Sequence, residues 1–232
     1  RMLSPNGRCA TFSNQADGYA RGEGCGMIVM KTLSKAIEDN DYIYGIIKGC
    51  AVNQDGKSAN LTSPNGPSQE RVIQTALDRA GLDGKDIHYI EAHGTGTALG
   101  DPQEIQSLYN VLCKDRSSNL IVGALKSNIG HTEGAAGIAG VIKTILCLQH
   151  GEIPCNLHCD IINPRLVDYM NKIIFPINET IELSKQNTLY SGISSFGFGG
   201  TNAHVIISST PLNYVQDIIE STKIEWNRKS FP

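Results

Sequence analysis

Short, β-branched apolar runs alternate with helix-patterned stretches along most of this 232-residue chain, and that alternation admits few architectures. Strand-like runs occupy residues 26–33, 42–51, 87–90 and 120–125, then the neighbourhoods of 172–175, 190–195 and 203–209. Between them, residues 68–80 carry Val72, Ile73, Ala76 and Leu77 at amphipathic helical spacing, and Gly81 supplies a stop. A second helix is expected from Asp101-Pro102 to about Cys113, with proline tolerated in the first turn. A third is expected over 134–149, where Gly137 and Gly140 suggest close approach of another backbone. Ser34 offers an N-cap to a short helix ending near Asn40. Residues 53–67 have loop chemistry throughout, and 210–232 have the weak periodicity of a linker or tail. The expectation is an α/β layered fold with helices packed on a mixed sheet.

Charge narrows the function classes. Lys plus Arg number 20 against 23 Asp plus Glu, for a net charge of −3, so no basic surplus points to nucleic acid or an anionic membrane. No apolar run approaches the roughly 20 residues needed to span a bilayer. The seven cysteines are odd in number and irregularly spaced, which argues for free thiols in a reducing, cytoplasmic compartment rather than a disulfide framework. The chain opens Arg1-Met2-Leu3-Ser4 with neither initiator Met nor apolar leader, so it is expected to begin inside a longer reading frame.

The chemistry concentrates in three glycine-flanked segments, each after an expected strand: EAHGTGT with His93, KSNIGHTE with Lys126 and His131, and SSFGFGGTNAH with Gly197 and Phe198. Ligands in α/β proteins bind where strands end, so the three loops could converge on one site. Two imidazoles can donate hydrogen bonds to a carbonyl or enolate oxygen as charge develops, and a nearby ammonium would bias their protonation. The G-F-G-G-T-N segment lacks the lysine and spacing of a P-loop and does not match G-x-G-x-x-G.

Taken jointly, five segments resemble the β-ketoacyl synthase family, specifically the ketosynthase domain of modular polyketide synthases. They are RMLSPNGRCATFSNQADGYARGEGCGMIVMK, AVNQDGKSANLTSPNGPSQ, EAHGTGTALGDPQE, KSNIGHTEGAAGIAGVIK and SSFGFGGTNAHVI, in the family's order and spacing. The resemblance implies a thiolase-like αβαβα layered fold and, usually, a homodimer. It implies decarboxylative Claisen condensation of acyl and malonyl-type thioesters carried on acyl carrier protein, with adjoining synthase domains as partners and no metal or other cofactor. By the same resemblance, His93 and His131 match the catalytic histidines, and Lys126 the lysine that supports the His131 loop. Thr95 and Thr97 match the threonines at the phosphopantetheine arm. Gly197 and Phe198 match the gating segment, whose backbone N–H forms half of the oxyanion hole. Residues 1–41 would then close the first ketosynthase half, 42–209 form the second, and 210–232 leave it as a linker, with Trp226 and Phe231 as possible anchors.

One element of the family pattern does not occur. The nucleophile belongs to a T-A-C-S-S-type segment, and Cys9 and Cys25 match positions downstream of it. The chain is therefore expected to be a C-terminal fragment that lacks the nucleophile and is inactive alone, since no acyl-enzyme can form without a thiolate. An alternative reading is a non-condensing partner, a decarboxylase-only or chain-length-shaping subunit that binds acyl carrier protein. Cys155, His158 and Cys159 bring potential metal ligands together, but no second ligand pair is visible, and a loop with incidental cysteines is expected.

Overall fold

Six strands of the computed structural model pair into one sheet, in the order β1-β8-β7-β2-β3-β5, and the residues described are 2–56, 63–184, 187–210 and 214. The strands are β1 (Ile46–Gln54), β2 (Ile87–Glu91), β3 (Leu120–Gly123), β5 (Ile173–Ile174), β7 (Tyr190–Phe196) and β8 (Thr201–Ser208). β1, β8 and β7 run antiparallel, whereas β7, β2, β3 and β5 run parallel. A separate two-stranded ribbon joins β4 (Glu152–Ile153) to β6 (Ile181–Glu182). This mixed sheet with packed helices is the α/β arrangement that the hydrophobic patterning implies.

Helices cover both faces. On one, α2 (Gly66–Ala80) and α3 (Gly100–Leu112) press Val72, Ile73, Leu77, Ile105, Leu108 and Leu112 into a core with Ile90, Leu120, Val122 and Ile206. Burial of each such side chain stabilises by roughly 1.5–3 kcal/mol relative to exposure. On the other face, Leu148 of α5 (Ala136–His150) packs with Leu189, Ile193 and Ile207. The caps are local. Asn65 accepts the Ser68 N–H at 3.1 Å to start α2, and Gly81 ends it in the left-handed region at φ 66°. Among the described residues, no helix is long and apolar enough to cross a membrane.

Several expectations need correction. Residues 26–32 are not a strand: they hydrogen-bond into no ladder among the described residues, and Met27, Val29 and Met30 are strongly exposed. β-propensity needs a neighbouring strand to satisfy the backbone, and the described residues supply none. The following helix α1 (Leu33–Glu38) starts after Thr32 without a side-chain cap, so Ser34 lies inside it. β1 begins four residues later than expected and runs into the stretch read as loop, because Asn53 and Gln54 pair with Asn202 and Thr201. At Gly140, a Cβ would meet the side chains of Glu91 and Ile193 at 3.2 and 3.3 Å, and at Gly137 the Ser195 hydroxyl at 3.4 Å. The close neighbours of α5 there are strand side chains, not backbone. Trp226 and Phe231 lie outside the described residues.

Candidate functional site

β7, β2 and β3 are consecutive, parallel neighbours, so their C-terminal ends open on the same edge of the sheet. The three glycine-flanked loops leave from those ends, and a cleft of about 830 Å³ forms over them. His93, His131, Thr95, Thr97, Gly197 and Phe198 all line it. Lys126 sits beneath, as the first residue of the single-turn helix α4 (Lys126–Ile129), and is 7% exposed.

The two imidazoles lie edge to face, with ring centroids 5.4 Å apart and an interplanar angle of 84°. Each has its Nδ1 engaged by a backbone donor. The Phe196 N–H approaches His93 Nδ1 at 3.4 Å, and the Glu133 N–H donates to His131 Nδ1 at 3.0 Å. A neutral ring that accepts at Nδ1 carries its proton on Nε2, so both histidines present Nε2–H as a donor. Burial, then the Lys126 cation, then His131 hold His93 well below the ordinary imidazole pKa. Burial followed by Lys126 lowers His131 to about 4. Two neutral donors face one cleft.

The backbone around them is held from both sides. His131 donates its N–H to the Ala20 carbonyl at 2.7 Å, while the Tyr19 ring meets the imidazole at 5.1 Å. Arg21 pairs with Glu133 at 2.7 Å across the mouth of the cleft, although both side chains are more than half exposed, so the pair contributes little stability. Thr95 and Thr97 hydroxyls lie 3.2 Å apart, and Thr97 also accepts the Gly100 N–H at 3.1 Å. Phe198, 57% exposed, sits on the tight connection between β7 and β8, where Gly200 adopts φ 87°.

Two carboxylates that the motif reading passed over complete the site. Glu104 accepts the N–H groups of His93 and Gly94 at 2.7 and 2.9 Å, and Asp101 accepts those of Phe12 and Gly96 at 2.8 and 3.0 Å. Both are buried, and burial raises Glu104 to about 7 and Asp101 to about 6. Their spacing was a usable signal: two acids three residues apart at the start of a helix share one face, turned back toward the preceding loop. Burial lowers the Lys126 pKa, opposed by the charges of Glu91 and Glu104.

The cysteines take no part in this cleft. Cys9 is buried, contacts the Ala20 backbone, and has its thiol pKa raised chiefly by burial. Cys159 is buried and pushed up to about 11, while His158 lies 3.2 Å from the Arg8 guanidinium. Among the described residues, no group of three or more His, Cys, Asp or Glu side chains is arranged to hold a metal ion.

Sequence profiles of two domains match the chain: Beta-ketoacyl synthase, N-terminal domain over residues 1–36, and Beta-ketoacyl synthase, C-terminal domain over residues 44–160. This chain belongs to the beta-ketoacyl synthase family. Among its relatives, the erythronolide synthase EryA2 of Saccharopolyspora erythraea is 44% identical over 212 residues, which cover 91% of this chain and 6% of that protein. The ketosynthase from module 6 of the bacillaene synthase of Bacillus subtilis superposes with a TM-score of 0.84 at 37% identity, covering 90% of this chain and 38% of that one. The oxazolomycin ketosynthase domain KS7 of Streptomyces albus gives a TM-score of 0.87 at 34% identity, covering 95% and 39%. The thiolase-like fold class follows from these ketosynthase neighbours. This chain spans about a tenth or less of the length of the curated relatives it matches, and under two fifths of the solved ketosynthases.

Proposed function

We propose that these residues form the decarboxylating half of a condensing ketosynthase domain of a modular polyketide synthase. The observation that carries the proposal is the pair of neutral imidazoles, each committed at Nδ1 and each offering Nε2–H to the same cleft. In this role, the two donors bind the thioester carbonyl oxygen of a malonyl group. As the bond to the carboxylate breaks, CO₂ leaves and its electron pair becomes an enolate, whose oxygen the two N–H groups stabilise. The enolate carbon then attacks the acyl thioester carbonyl and the thiolate departs. The cysteine carrying that acyl group belongs to the T-A-C-S-S-type segment, which is not in this sequence.

The remaining roles follow the same reading. Lys126 disfavours imidazolium and keeps both histidines as neutral donors. Thr95 and Thr97 hydroxyls bind the phosphopantetheine arm of acyl carrier protein. The Phe198 ring gates the cleft, and the Gly197-Phe198 backbone contributes to the oxyanion site. Residues 1–41 would complete the first ketosynthase half and 42–209 build the second, a division that the two profile matches support. Acyltransfer on carrier protein, a homodimeric assembly, adjoining synthase domains and a cytoplasmic location complete the proposal, with no cofactor required. Retention of both histidines weighs against a silent partner subunit.

The deciding experiment is His131→Ala in the full-length protein. Malonyl decarboxylation and condensation are expected to fall about 100-fold or more, while acylation of the nucleophile persists. Decarboxylation at the unsubstituted rate would overturn the proposal.

A further inference from the structure

Glu91 is the last residue of β2, two positions before His93, and its side chain is 3% exposed. Its carboxylate is braced within its own strand by Tyr89 and reaches two further pieces of the site's scaffold. Oε1 accepts the N–H of Leu125 at 2.7 Å, the residue that precedes the Lys126 helical turn and the His131 loop. Oε2 accepts the Tyr89 hydroxyl at 2.6 Å and the Lys143 ammonium at 2.7 Å. Lys143 also reaches the Tyr89 hydroxyl and lies 4.6 Å from the centre of its ring. Lys143 belongs to α5, the helix that the chain enters directly after the His131 loop. Gly140, one turn earlier, lets α5 come near enough for that reach, since a Cβ there would stand 3.2 Å from Glu91 Cγ.

We propose that Glu91 and Lys143 are a positioning pair for the reaction assigned above, setting the separation of His93 and His131 by clamping β2, the Lys126 turn and α5 to one carboxylate. The inference rests on that functional reading. A buried carboxylate that takes donors from separate elements holds geometry more tightly than apolar packing of the same volume, because each oxygen fixes a direction as well as a distance. Small displacements of reacting groups are costly, and neither residue lines the cleft itself.

The test compares Glu91→Gln, Lys143→Met and Lys143→Arg in the full-length protein, with malonyl decarboxylation and acylation of the nucleophile measured separately. Glutamine keeps an acceptor for the Leu125 N–H but turns an amide donor toward Lys143 and Tyr89. Decarboxylation is expected to drop roughly 10- to 100-fold in E91Q and K143M, as a loss of kcat with little change in KM, while acylation holds within a few-fold. K143R is expected to recover most of the loss. Should E91Q fail to fold, the contrast between K143M and K143R decides alone. Equal losses in both half-reactions, no loss in either, or no recovery by arginine would overturn the positioning role. Absence of decarboxylation in the unsubstituted protein would instead sink the functional reading beneath it.

Discussion

The Glu104 carboxylate accepts the backbone N–H of His93 at 2.7 Å, so a helix side chain eleven positions downstream sets where the first histidine begins its loop. Its other oxygen takes the Gly94 N–H at 2.9 Å. The pair of bonds explains why an acid is buried here at all: it satisfies two donors that the loop's sharp turn, with Gly94 at φ 44°, removes from any strand ladder.

Truncating that carboxylate should therefore cost both stability and geometry. Glu104→Ala orphans two buried N–H groups at about 1–3 kcal/mol each, whereas Glu104→Gln retains one acceptor and loses about half as much. Denaturant midpoints of the two variants should rank alanine below glutamine below the unsubstituted protein. Equal midpoints for all three would remove Glu104 as the anchor of the His93 loop.

Stability should depend on pH in two opposed windows. His131 and His204 are lowered to about 4 by burial, and His93 lies well below its ordinary value. For such groups the unfolded chain binds more protons, so their contribution is present above about pH 6.5 and is lost as pH falls toward 4. Asp101 and Glu104 are raised to about 6 and 7, so the folded state binds more protons and their contribution is lost as pH rises through those values. Three histidines outweigh two carboxylates on the acid side. Denaturation midpoints should fall below about pH 6 and decline slightly on passing pH 7. A midpoint that rises steadily toward pH 4 would contradict the assignment.

Phe198 offers a contrast, because its ring is mostly in solvent. Phe198→Ala should shift the thermal midpoint within the scatter of surface changes, about 0.5 kcal/mol. Under the proposed function its effect is expected instead in substrate access, as a changed KM for the carrier-bound acyl group. A large stability loss would show that the ring packs rather than gates.

Arg116 is 5% exposed, and its guanidinium donates to carbonyl groups rather than to a carboxylate: Ser118 at 2.7 Å, Ile87 at 2.8 Å, Gly84 at 3.3 Å and Asn119 at 3.4 Å. The planar fork staples the turn before β3 to the start of β2. Arg116→Lys keeps the charge but cannot reach all four acceptors, and should destabilise by about 1–3 kcal/mol. Decarboxylation per folded molecule should be unchanged. An unaltered denaturant midpoint would mean that water replaces the fork without cost.

Helix α2, its glycine stop and the strand segments of β2, β3, β7 and β8 were legible in the residues, because amphipathic spacing and turn chemistry act over a few positions. So were the cleft residues His93, His131 and Phe198, with Lys126 beneath them, carried by glycine-flanked motifs at strand ends. Strand pairing was not, because a ladder partner lies far off in sequence. The run at 26–32 has strand composition and no strand beside it, while Asn53 and Gln54 have loop composition and pair with β8 nearly 150 residues away. The same distance hid which donors the site's acids hold. Glu91 meets Leu125 34 positions on, and Asp101 meets Phe12 89 positions back. Local pattern determined which loops meet at the cleft, and long-range hydrogen bonding decided how they face one another.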